Sequence, residues 1–377
     1  MRGVSMRLLP AHSRRRRVAA LALPALLLMA PWPAHARQAR AAAGPVVCAI
    51  DPADGEQAIA AAIAACPDGT TVRFPPRRTY RQTGSIVVHG RTGLTIDGNR
   101  STFVRAVPDV AGQREPNWVL EEGRRVALQR MTVVGAFKDP GPRRIIPGNQ
   151  HNHGVAVRGG TGIRVRDLRI RDVFGDLVTV EPPGHDALAP PPRDVRIQRL
   201  DGRRAARQCV AVTGAIGFWL QDSRLANCFQ LGVDIEQDVP GEPLRDIHVV
   251  RTSIGGFHLS AIGVAGSAVG APRRGDIDRV DIRANTVRTP SDTCWPAVTT
   301  ERGPVSRVVT AGNTLRTLGD GVRYAAGTSG AITGNRVINR AGPVLCGSLT
   351  ALTRPVRAAA TGGVTLVGNV GLGYRRR

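Results

Sequence analysis

The stretch Leu231-Gly-Val-Asp-Ile-Glu-Gln-Asp238 sets three carboxylates within five residues, in a chain with 52 Lys and Arg against 29 Asp and Glu. Val233 and Ile235 alternate with Asp234 and Glu236, the period-two pattern of a strand with one buried face. On such a strand the two acids share the outward face, with Cα atoms about 7 Å apart. That separation suits acid–base cleavage of a glycosidic bond, in which one carboxyl protonates the leaving oxygen and the other activates water; inverting glycosidases keep these groups roughly 6.5–9.5 Å apart. Hard carboxylate oxygens, with Asp238 added, also suit Ca²⁺. The bland alternative is an ordinary solvated strand face.

Other segments align with this strand by their paired apolar residues: Val155-Ala-Val157, Val178-Thr-Val180, Val210-Ala-Val212, Ile262-Gly-Val264 and Val322-Arg-Tyr324. One outward column then reads Ala156, Thr179, Ala211, Asp234 and Gly263, and reaches Arg323 after one turn that does not align. The next reads Arg158, Glu181, Thr213, Glu236 and Ala265. Ala156, Ala211 and Gly263 leave a low floor on which a sugar fits. Glu181, two turns from Glu236 and so about 10 Å away at ~4.8 Å per turn, is an alternative acid partner; Asp176, at the start of its strand, is a third. β-Elimination instead requires a base beside a uronate carboxylate and a cation or guanidinium on the enediolate. Arg207 and His153 are the candidates for such roles, with Arg158, His151 and Arg323 as substrate-binding groups. Lys138 is the only lysine, which disfavours a lysine base. Each residue also has a structural reading: Glu181 pairs with Arg158 one turn below, and the histidines serve a bend within Gly148-Asn-Gln-His-Asn-His-Gly154.

The elements that must hold these residues repeat. Segments of the form apolar-x-x-Asn begin at Ile96, Ile282, Thr310, Ile332 and Leu366, with weaker copies at Leu128, Val165, Ile197, Leu220 and Val249; the spacing runs from 22 residues (Thr310 to Ile332) to 37 (Leu128 to Val165). Short alternating strands at such a period predict a solenoid whose turns stack and share a continuous core. The recurring asparagines, Asn99, Asn285, Asn313, Asn335 and Asn369, suit a ladder of amides at a bend that tolerates left-handed geometry. Asp54-Gly-Glu-Gln57 followed by Ala58–Ala65 predicts a capping-box start to a short helix with an apolar stripe of Ile59, Ala62 and Ile63, closing the N-terminal end of the stack.

The order of an Ala-Ile-x-x-Ala-Ile helix, Cys66-Pro-Asp-Gly-Thr70, Val72-Arg-Phe-Pro-Pro-x-x-Thr-Tyr80 and Gly93-Leu-Thr-Ile-Asp-Gly-Asn99 resembles the opening of right-handed parallel β-helix proteins of the pectate lyase and polygalacturonase superfamily. The likeness spans roughly residues 51–374. It implies an all-β fold, a right-handed parallel β-helix of about ten coils with a short N-terminal capping helix, on which polysaccharide lies along a groove formed by one sheet. The Asn-Thr-Asp, Asp-Asp and Arg-Ile-Lys blocks of polygalacturonases are missing, and His153-Gly154 stands alone and out of order, which argues against a standard polygalacturonase. An arginine base beside aspartate calcium ligands, as in pectate lyases, is matched only loosely by Arg207 and the Asp234 region.

Arg14–Arg17, the apolar run 18–30 and Ala34-His-Ala36 read as a secretory signal over residues 1–36, too short to span a bilayer. The expected organisation is a lead-in over 37–50, one domain over 51–374 and a basic tail over 375–377. Six cysteines in an exported chain imply disulfides, paired by proximity as Cys48 with Cys66, Cys209 with Cys228, and Cys294 with Cys346. The formal charge is +23, of which the signal supplies six arginines and no acid, leaving 23 − 6 = +17. This favours an anionic partner. Aromatic residues are 4% and no nucleic-acid motif is present, so an acidic polysaccharide is expected rather than nucleic acid. The expectation is a secreted monomer acting on such a polymer by hydrolysis or β-elimination; the rival is a β-helix that only adheres to glycan or cell wall.

Overall fold

A computed structural model describes residues 46–106, 115–137, 147–186, 188–267, 276–289, 294–339, 356–358 and 364–372, all within one compact unit, 44–377. The signal segment, the tail over 375–377 and Cys346 lie outside the described residues.

The chain forms a right-handed parallel β-helix, the sense general to parallel crossovers. Ten strands stack in parallel on one face, from Ile86–His89 to Val356–Ala358, and the remaining strands line the other faces. Among the described residues, Glu56–Ala65 is the only α-helix. The repeat read from the sequence is physically one column: Ile96, Leu128, Val165, Ile197, Leu220, Val249, Ile282, Thr310, Ile332 and Leu366 pair in register, turn on turn. All are buried except Leu366, which is half exposed at the last described turn. Thr310 keeps its place because its hydroxyl bonds the buried Tyr324 hydroxyl at 2.8 Å, which satisfies a polar group that burial would otherwise penalise.

The asparagine ladder runs through Asn285, Asn313, Asn335 and Asn369, with each Nδ2 donating to the next Oδ1 at 3.1, 2.8 and 3.0 Å. The left-handed residue is the one before each asparagine: Ala284, Gly312, Gly334 and Gly368 all have φ between 53° and 62°. That twist aims the following amide inward along the stack. Asn99 is outside the ladder; it is itself left-handed, and its Nδ2 donates to the Phe74 carbonyl.

The helix buries Ile59 and Ile63, as its stripe predicts. Its capping box does not form. Gly55 is the N-cap at φ 104°, with no side-chain cap. Asp54 instead accepts the Arg81 N–H, and Glu56 accepts the Thr83 N–H at 2.9 Å, so both acids tie the helix to the first coil. Disulfides Cys48–Cys66 and Cys209–Cys228 are present as paired from the sequence. The first fastens strand Val47–Ala49, part of the expected lead-in and paired with Thr71–Arg73, to the end of the helix.

Candidate functional site

The ten-stranded face carries Asp234 and Glu236 on Val233–Glu236, with Val233 and Ile235 fully buried behind them. Asp234 lies in register between Ala211 and Gly263, and Glu236 pairs with Ala265. The two acids line a pocket of about 370 Å³, together with Gln208, Ser260, Trp295, Thr299, Glu301 and Arg302 among others. Gly263 keeps the floor low, and a Cβ there would lie 2.6 Å from Leu231 Cδ2, so that side chain would have to move aside.

Asp234 is only 7% exposed, and Gln208 Nε2 donates to its Oδ2 at 2.9 Å. Burial, helped by the charges of Glu236 and Asp176, pushes its pKa up to about 8, against the pull of Arg207 and the Gln208 bond. The group is therefore protonated at neutral pH. Glu236 is also raised, chiefly by burial and also by Asp238 and Glu301, although Arg302 and Arg207 oppose the shift. Arg302 binds the Glu236 carboxylate directly and anchors its own Nε on the Gly266 carbonyl at 3.0 Å.

Below the pair lies a buried network. Asp176 accepts the Gln208 N–H at 3.0 Å and sits 3.7 Å from the Arg207 guanidinium, while His153 Nδ1 accepts the Asp176 backbone N–H at 3.0 Å. Burial pushes the Asp176 carboxyl up, but Arg207, His153 and the Gln208 N–H outweigh it and hold it below the usual carboxylate range. Its retained negative charge raises Asp234 in turn. The Asp176 charge likewise holds Arg207 firmly protonated.

Arg207, Asp234 and Glu236 thus meet at the pocket, and Asp176 with His153 support it from behind. Glu181 does not line the pocket: it is buried, with Arg158 Nε donating to it at 2.8 Å and Thr179 Oγ1 at 3.3 Å. His151 stacks edge-on against His153 at 6.2 Å. Arg323 contacts Glu301 at 3.4 Å and lies over the Trp295 ring, at the pocket's edge. Asp238 has left the strand, and its N–H bonds Glu242. Among the described residues no group of three or more acids, histidines or cysteines is placed to hold a metal.

Gln208, Trp295, Thr299, Glu301 and Arg302 escaped the sequence reading. Four of them flank or form Val298–Glu301, the turn that failed to align; it pairs with Ile262–Ala265, placing Thr299 on the Asp234 column and Glu301 on the Glu236 column. Its inward position is Thr300, whose hydroxyl bonds Thr328 at 2.7 Å inside the core. A polar residue there hides the apolar pair, yet the outward pattern Thr-Glu after Val298 was the available signal.

No protein-family model matches the chain, and no curated protein does. Solved structures do. An endo-xylogalacturonan hydrolase from Aspergillus tubingensis superposes with a TM-score of 0.63 at 12% identity, over 86% of this chain and 92% of that one. A mutant DFA-IIIase from Arthrobacter chlorophenolicus A6 gives 0.54 at 12%, over 89% and 84%. The catalytic unit of a GH87 α-1,3-glucanase from Streptomyces thermodiastaticus gives 0.52 at 16%, over 87% and 69%. At these identities the likeness establishes the shared β-helix fold.

Proposed function

We propose that this chain is an exported enzyme that hydrolyses glycosidic bonds of an anionic polysaccharide in the Asp234–Glu236 pocket. The observation that carries this reading is Asp234, a buried carboxylic acid that keeps its proton to about pH 8 in a pocket it shares with a second carboxylate two residues away. Asp234 gives its proton to the glycosidic oxygen as the C–O bond breaks. Glu236 takes a proton from water, whose oxygen forms the new bond at the anomeric carbon. With Cα atoms ~7 Å apart, the two carboxyls can take the spacing of roughly 6.5–9.5 Å that admits this water, and the product is then inverted. Solvent then returns the proton from Glu236 to Asp234.

The rest of the pocket supports a sugar ligand. Gln208 Oε1, Ser260 Oγ and Thr299 Oγ1 are buried without protein partners, and buried polar atoms are normally satisfied, so sugar hydroxyls suit them. Trp295, 42% exposed, offers a ring face at the mouth. Arg302 and Arg323 suit an anionic substituent. The hydrolases that share the fold agree with this chemistry, and the disulfides and signal-like segment agree with export. Arg207 argues against β-elimination, because its ion pair with Asp176 keeps it protonated and unfit as a base.

The test is a panel of uronate and neutral glycans. Hydrolysis releases reducing ends without the ultraviolet absorbance of a new C=C bond. Unsaturated product would replace hydrolysis with elimination, and no product from any polymer would leave the binding-only reading.

A further inference from the structure

A separate face of the coil carries a charge pattern that the pocket does not use. Seven consecutive strands, from Arg164–Val173 to Arg336–Asn339, each present two outward positions there, fourteen in all. One column is Arg169, Asp201, Arg224, Ser253, Thr286, Thr314 and Arg336; the other is Arg171, Arg203, Ala226, Gly255, Arg288, Arg316 and Ile338. Seven of the fourteen are exposed arginines and one is an acid.

Many arginines elsewhere on this protein are paired with acids within the fold. At the bends Arg199 and Arg251 clamp Asp167 and Asp222 one turn below through paired contacts of 2.5–2.9 Å. On the flat face only Arg171 and Arg203 have such partners, Asp172 and Asp201. Arg169, Arg224, Arg288, Arg316 and Arg336 form no ion pair among the described residues. Of the seven other positions five are small or hydroxylated, Ser253, Thr286, Thr314, Ala226 and Gly255, the exceptions being Asp201 and Ile338. Three shallow depressions follow one another along this face and its edge, joined through shared Arg169, Thr132 and Asp201.

We infer that this face is a second, non-catalytic binding surface for a linear acidic polysaccharide, which runs along the coil axis. Six steps at ~4.8 Å make a track about 29 Å long. Guanidinium groups at multiples of that step meet a chain bearing carboxylate or sulfate at intervals, each able to accept a two-pronged hydrogen bond. Ser253, Thr286 and Thr314 add hydroxyls between the charges. The face has no aromatic residue to stack a nucleobase, which favours glycan over nucleic acid. The inference stands apart from the hydrolase reading, because it concerns retention and not turnover.

The experiment measures retention of the full-length chain on immobilised polygalacturonate across a salt gradient, in an Asp234→Asn background so that the polymer survives. The triple variant R169E/R224E/R288E is expected to weaken binding at least tenfold. The triple R124E/R193E/R245E makes the same charge change at exposed positions of a separate column of the coil and is expected to bind nearly as before. W295A, in the pocket, should weaken retention by less than the arginine triple does. Equal losses in the two triples would reduce the effect to net charge and overturn the site, and loss confined to W295A would move all binding to the pocket. A DNA duplex retained as strongly as the glycan, with the same dependence on Arg169, Arg224 and Arg288, would overturn the choice of partner.

Discussion

Asp234 offers a test that needs no substrate. Its carboxyl titrates at about 8 in the folded chain against an ordinary 3.8, a gap of roughly four units, and each unit corresponds to about 1.36 kcal/mol. The folded state binds this proton more tightly than the unfolded state. Its contribution to stability is therefore fully present below pH 3.8 and is lost as the pH rises through 8. From linkage, ionising this one group removes about 4 kcal/mol of stability between pH 5 and pH 9. Asparagine has nearly the same shape and carries no charge, so the Asp234→Asn variant escapes the loss. Denaturant unfolding of both proteins at pH 5, 7 and 9 gives a difference in which the titrations of groups not coupled to Asp234 cancel. The variant is expected to gain on the wild type by several kcal/mol toward alkaline pH while losing catalysis. Parallel curves, with the gap changing by less than about 1 kcal/mol, would refute both the raised pKa and the role of Asp234 as a proton donor.

Glu236→Gln should lower turnover at least a hundredfold with the melting temperature kept, since the residue is only partly buried and in the proposed mechanism activates water; near-normal turnover would remove Glu236 from that mechanism. Asp176→Asn leaves Arg207 facing a neutral group and should cost about 3 kcal/mol at pH 7. The Asp176 pKa is depressed, so that cost should shrink as the pH falls below about 4; a cost independent of pH would mean the carboxylate charge is not what matters. Asn313→Ala strips the hydrogen bonds that Asn313 makes to Asn285, Ile282 and Asn335 and should cost at least ~2 kcal/mol by urea unfolding. A neutral result there would show that the ladder is decorative.

The single column formed by the ten repeat anchors shows how much of the fold is local. Inward residues of a solenoid recur at a fixed place in each turn, so apolar periodicity along the chain is also packing across turns. The same logic put Asp234 and Glu236 outward together and left a low floor at Ala211 and Gly263, because neighbours on one strand have a set geometry. Cys48–Cys66 and Cys209–Cys228 were legible for a related reason, as short spans return to adjacent turns. What sequence could not supply was environment. Glu181 and Asp234 look alike in the alignment, yet Arg158 reaches Glu181, whereas Asp234 meets burial, two nearby acids and a glutamine amide. Apart from Glu236 on the same strand, those contacts come from neighbouring turns, 23 positions away for Arg158 and 26 for Gln208, and their distances exist only once the turns are stacked. Val298–Glu301, with Trp295 and Arg302 beside it, was hidden because Thr300 takes an apolar place in the core by pairing with Thr328. Periodicity along the chain thus determined which way each side chain faces, and the tertiary structure decided which of the outward acids keeps its proton, because a pKa depends on every charge and dipole within a few ångströms.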